Sequence, residues 1–117
     1  MEDYILLKKS KTFADNILIL CENISKDNFE IYITQNLKHI GIKINANLNK
    51  ASLSTTIDEL IFEMQKALEK TGRCEYWLML LYQLDYISTA DFSKIYNELC
   101  DLNEMLLSAF EIVIAQK

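Results

Sequence analysis

Two residues of this 117-residue chain have side chains suited to proton transfer and a spacing that lets them meet: His39, the only histidine, and Glu75. An imidazole beside a carboxyl shielded from water makes a general acid/base pair. His39 belongs to the series Asn36, His39, Lys43, Asn47 and Lys50, whose spacings of three and four put them on one helix flank. Glu75 lies between Leu68, Leu78 and Met79, which places it near the middle of the inward face of another helix. Burying an unpaired carboxylate costs several kcal/mol, so Glu75 needs donors there. Asn47, Lys43 and His39 supply donors of the right kind. Catalysis asks for more than this pair, because no second carboxylate, nucleophile or glycine-rich anion loop accompanies it, and a packed bundle leaves little room for substrate. The expectation is therefore a structural polar network, with Glu75 hydrogen-bonded to Asn47 and with Thr71 and Gly72, one turn earlier, leaving room.

The remaining candidates for chemistry are sparse. Cys21, Cys74 and Cys100 form no CxxC pair, so neither a disulfide framework nor a zinc site is expected, and free thiols in a reducing cytosol are. A di-metal bundle needs ExxH pairs, and Walker, GxGxxG and HExxH patterns are missing too, so no metal or cofactor is expected. Seventeen acids against twelve bases give a net charge of −5, without the excess of cations that grips phosphates. A nucleic-acid partner is thus disfavoured unless cations gather locally, as when Lys8, Lys9, Lys11, Lys38 and Lys43 of several copies converge. On their own, Lys8, Lys9 and Lys11 read as a solvated face.

The elements that must position these residues are helices. Proline is absent and glycine occurs only at Gly41 and Gly72, which suits neither a β-rich nor a loop-rich fold. A stripe of Leu6, Phe13, Ile17, Leu20 and Ile24 predicts a helix over about 7–24, followed by the polar break Ser25-Lys-Asp-Asn28. Ile33, Leu37, Ile40, Ile44, Leu48 and Ala51 predict a second over about 29–51. Thr56-Ile-Asp-Glu59 reads as a capping box opening a third that runs to about Leu84, with Ile57, Leu60, Ile61, Met64, Leu68, Leu78, Met79 and Tyr82 inward. A tight connection over Asp85–Ser88 and a second capping pattern, Ser88-Thr-Ala-Asp91, precede the last helix. Its seam of Phe92, Ile95, Leu99, Leu102, Leu106, Ala109 and Val113 alternates threes and fours. The architecture expected is all-α, one antiparallel up-down-up-down four-helix bundle over residues 1–117.

Apolar residues remain after the core is filled. Trp77, Leu81 and Leu84 are expected on the far side of helix three, Ile42 and Ala46 off the core stripe of helix two, and Met105 and Ile112 off the last seam. Burying one large side chain is worth about 1.5–3 kcal/mol, so Trp77, Leu81, Leu84 and Ile42 are expected to line an oligomer interface. The longest apolar run, Tyr76–Tyr82, is too short to span a bilayer, and no signal peptide is evident; a cytoplasmic location without a membrane partner is expected.

KSKTFADNI in helix one and TQNLKHIGIKINANLNKAS in helix two resemble the bacterial four helix bundle proteins related to those encoded in intervening sequences of large-subunit ribosomal RNA genes. ALEKTGRCEYWLMLL and LDYISTADFSKIYNELCDLNEML carry the likeness through helices three and four. The resemblance implies a left-handed antiparallel bundle that assembles into a ring, typically a homopentamer, and no assigned activity for most members. It extends to the accessory subunit of diversity-generating retroelements, a basic pentamer that engages a reverse transcriptase and nucleic acid. That family usually has Gln, Arg, Ser and Glu where this chain has Asn36, His39, Lys43 and Lys50.

Overall fold

The computed structural model describes residues 2–24 and 28–117, with side chains for 5–24 and 30–117. It comprises four α-helices: α1 (Glu2–Glu22), α2 (Asn28–Ser52), α3 (Ile57–Gln83) and α4 (Thr89–Gln116). Of the break expected at Ser25–Asn28, residues 25–27 lie outside the described residues, and α2 already begins at Asn28. The bundle measures 46 × 23 × 19 Å. Its long axis is therefore about one 28-residue helix, at 1.5 Å per residue.

α1 packs on α2 and α4, and α3 packs on α2 and α4, without direct packing across the diagonals. Each neighbouring pair runs antiparallel. Asn45 of α2 meets Ser10 of α1 while Thr34 meets Cys21; Asn47 meets Glu63 of α3 while Tyr32 meets Trp77. Tyr82 of α3 meets Thr89 of α4, and Thr71 meets Asn103. This is the expected up-down-up-down order.

Local chemistry stops and starts the helices where the sequence indicates. Thr56 Oγ1 accepts from the Glu59 amide, and the Glu59 carboxylate in turn accepts from the Thr55 amide. Ser88 Oγ accepts from the Asp91 amide to open α4. α3 closes in a Schellman motif: the Tyr86 amide donates to the Leu81 carbonyl and the Asp85 amide to that of Tyr82. That motif requires a left-handed residue, and Asp85 fills the position with φ 64°.

Phe13, Ile17, Ile33, Leu37, Ile44, Leu78, Leu81, Leu102 and Leu106 are fully buried at the centre. The stripes expected for α2 and α4 meet there as read. For α3 the inward seam is rotated: Met64, Ala67, Thr71, Cys74, Leu78 and Leu81 are buried, while Leu68 and Met79 are only half-buried. The reading followed the largest apolar residues, whereas the seam uses three small ones to let the helices approach. Two expectations fall with it. Leu81 is a core residue at 0% exposure and not part of a surface. Glu75 is exposed, because the centre of the inward face is its neighbour Cys74.

Among the described residues, no helix is long and apolar enough to cross a membrane.

Candidate functional site

Two grooves, one on each side of α3, hold Glu75 and His39, the two residues whose types suit proton transfer. In the α3/α4 groove, a cavity of about 330 Å³ is lined by Thr71, Gly72, Glu75, Tyr96, Cys100, Asn103 and Glu104 over a floor of Leu68 and Leu99. α3 presents Thr71 and Glu75 one turn apart, and the antiparallel α4 presents Asn103 and Tyr96 opposite them in reverse order. The Tyr96 hydroxyl donates to Glu75 Oε2 at 2.9 Å. The buried Thr71 hydroxyl lies 2.7 Å from the Leu68 carbonyl and 2.8 Å from the Asn103 carboxamide oxygen. No cation lines this groove.

Glu75 thus has a partner, but not the one expected. Asn47 donates to Glu63 Oε1 at 2.9 Å. Glu63 and Glu75 are twelve positions apart on α3, about 18 Å along the helix, so Asn47 and Glu75 cannot meet. Glu75 also points about 100° away from the seam, toward α4 and not α2. His39 and Lys43 are exposed on the α2 side of α3, and neither is brought to Glu75. The four residues expected to form one network therefore separate into a buried Asn47, an α3/α4 carboxylate and two exposed side chains, His39 and Lys43. Asn47 itself is buried, and its Oδ1 lacks a hydrogen-bond partner among the described residues.

Titration behaviour follows from these contacts. The hydrogen bond to Glu75 and its negative charge push the Tyr96 phenol up to about 12, with Cys100 adding to the effect. Tyr96 is then a fixed donor at neutral pH and cannot serve as a base. Burial, with Cys21 nearby, pushes the Cys74 thiol up to about 12, so it is neither a thiolate nucleophile nor a ready metal ligand. No group of three His, Cys, Asp or Glu able to hold a metal occurs among the described residues.

The second groove, between α2 and α3, is open and lined by Asn36, His39, Ile40, Glu69, Gly72, Arg73, Tyr76 and Trp77. Trp77 is half-buried under Tyr32 and Tyr76, whose rings meet it edge-on at 5.7 and 5.3 Å. Lys66, Lys70 and Arg73 follow the same flank of α3 at spacings of four and three, facing Lys43 of α2. They are close enough to matter: the amine of Lys70 is held below its ordinary range by burial and by Lys66, Lys43 and Arg73, against which Glu69 acts weakly. None of these four cations forms an ion pair among the described residues; Lys66 lies 4.4 Å over the Phe62 ring instead. Sequence reasoning missed this cluster, although the 66, 70, 73 spacing was visible; the facing position of Lys43 was not. It missed Tyr96, Asn103 and Cys100 for want of the α3/α4 register.

Of the residues expected at an interface, Ile42 is half exposed on the back of α2 and Leu84 is exposed at the C-cap of α3, so neither lies beside Trp77. The exposed apolar side chains are distributed differently. Leu53, Phe62, Leu107, Ile112 and Ile114 are exposed toward the other end of the bundle, where α3 begins and α4 ends.

Comparison with known proteins bears on this arrangement. No curated protein matches the chain. One solved structure, described as a protein with unknown function from the S23 ribosomal protein family of Bacteroides thetaiotaomicron, is similar at 27% identity and a TM-score of 0.88. The similarity covers 95% of this chain and 99% of that one. Residues 2–108 match the profile of the 23S rRNA-intervening sequence proteins, which is nearly the whole bundle, and the chain belongs to that family.

Proposed function

We propose that this protein is a non-enzymatic, self-assembling helical bundle that serves in the cytoplasm as a scaffold or accessory subunit, acting through its surfaces. The observation that carries this reading is its uncovered apolar surface. Twelve large apolar side chains are exposed among the described residues, Tyr32 and Tyr76 among them, whose rings meet the half-buried Trp77 between α2 and α3. Scattered exposed apolar residues are ordinary, but an aromatic group of this kind marks a surface meant to be covered. In the α3/α4 groove Tyr96, held protonated by Glu75, offers no base, which supports a non-catalytic role there. The family resemblance adds a count of five copies. Light scattering in dilute solution tests the reading: a mass several times 13.6 kDa is expected, and a mass of 13.6 kDa at all concentrations refutes it.

A second reading, an RNA- or DNA-associated accessory factor, has one observation in its favour, the cations Lys43, Lys66, Lys70 and Arg73, none of which forms an ion pair among the described residues. The net charge of −5 opposes it. A gel shift with ribosomal RNA that fades with salt supports this reading, and no shift at low salt ends it.

A further inference from the structure

The two grooves beside α3 carry opposite charge. On the α2 side the cations Lys43, Lys66, Lys70 and Arg73 outnumber the acids Glu63 and Glu69, although the chain has more acids than bases. Like charges repel, so an isolated chain gains nothing from the excess. On the α4 side Glu75 and Glu104 line a cavity without a cation. Gly72 lies on the wall of both grooves. A Cβ placed there meets nothing within 4 Å, whereas one on Gly41 touches Ile17 at 3.7 Å, so Gly41 answers to the packing of α1 on α2. Glycine inside a helix is destabilising relative to alanine, and no contact within this chain explains Gly72.

We propose that copies of this chain join head to tail through α3: Lys66, Lys70 and Arg73 of one copy seat against Glu75 and Glu104 in the α3/α4 groove of the next, and Gly72 admits the close approach. The proposal rests on the self-assembly reading and specifies its contact. A second copy suits the cationic stripe better than a polynucleotide does, because it brings carboxylates at fixed spacing, while the rest of the molecule repels a polyanion. The exposed apolar residues fit as well, with Phe62 under Lys66, Tyr76 lining the groove with Arg73, and Leu107 one turn from Glu104. Contact between unlike faces is heterologous, so it closes into a ring or runs on as a filament. Both α3 charge sets lie between residues 66 and 75, within about 14 Å along the axis. Successive copies therefore stay nearly level, which favours the ring.

The test is mass by light scattering for the whole chain and three variants, with helical content followed by circular dichroism. Lys70→Glu/Arg73→Glu makes both grooves acidic, and Glu75→Lys/Glu104→Lys makes both cationic. Each alone is expected to fall to 13.6 kDa with helicity intact, and an equimolar mixture of the two to regain a multimeric mass. Gly72→Leu, which changes no charge, is expected to fall to the same mass. A wild-type assembly that persists in all three variants overturns this contact while leaving self-assembly standing. A wild-type monomer refutes the self-assembly reading itself. If Lys70→Glu/Arg73→Glu keeps its mass but loses a single-stranded RNA that the wild type binds, the stripe serves nucleic acid and the proposal falls.

Discussion

Replacing Asn47 by aspartate probes the buried end of the α2/α3 interface. Asn47 is 6% exposed and its Nδ2 donates to Glu63 Oε1 at 2.9 Å. Asn47→Asp removes that donor and sets a second carboxyl against Glu63. Two full charges at that distance repel by about 6 kcal/mol at an effective dielectric of about 20. The introduced carboxyl escapes by keeping a proton, which caps the penalty. From an ordinary value of about 3.9, holding the proton at pH 7 costs about 1.4 kcal/mol per pH unit, or about 4 kcal/mol in all. Its folded-state value is raised above the unfolded one, so the penalty is nearly absent below about pH 4 and grows as pH rises toward the folded value. Against a total stability of about 5–15 kcal/mol, the loss at pH 7 is large. Asn47→Leu is the control: it removes the buried Oδ1 that lacks a partner and leaves the half-buried Glu63 to water, for a change of about 1 kcal/mol or less. Urea unfolding followed at 222 nm, each variant against wild type at pH 4 and 7, measures both. If Asn47→Asp loses less than about 1 kcal/mol at pH 7, or loses as much at pH 4, the Asn47–Glu63 contact does not exist as described.

Three other consequences are open to measurement. Alkaline titration of tyrosine absorbance should end in a step near 12 from Tyr96, and Glu75→Gln, by removing the charge, should move that step down; an unchanged curve refutes the pairing. Leu81→Ala should cost about 2–5 kcal/mol in urea unfolding, as for a core leucine, and a cost below about 1 kcal/mol would return Leu81 to the surface. Asp85→Gly should raise stability by about 0.5–1 kcal/mol by relieving the left-handed backbone at the end of α3, and a loss would argue against the φ of 64°.

The architecture was legible because it depends on periodicity and punctuation, which a single sequence displays. The seams of α2 and α4, the Thr56 and Ser88 caps and the polar links each report a local preference that tertiary packing reinforces. What sequence could not supply was rotation. On α3 the seam runs through Ala67, Thr71 and Cys74, residues too small to stand out, so the reading settled on Leu68 and Met79 instead. One residue of error is 100° of turn. That shift moved Glu75 from the flank facing α4 to an imagined interior facing α2, and moved Leu81 from the core to an imagined surface.

The same rotation explains why candidate sites are harder to read than cores in this fold. A buried position tolerates some angular error, because several neighbouring directions all lead inward. A groove position does not: Glu75 and Arg73, two residues apart, belong to different grooves of opposite charge. Register between helices adds a second unknown. The Lys66, Lys70 and Arg73 series was legible as a stripe on one helix, but its proximity to Lys43 depends on α2 and α3 aligning so that Asn47 meets Glu63. A charge cluster that forms only on folding leaves no trace in a net charge of −5. For a small helical bundle the net charge therefore sets the long-range field, and the sign of each groove between helices sets what can dock against it.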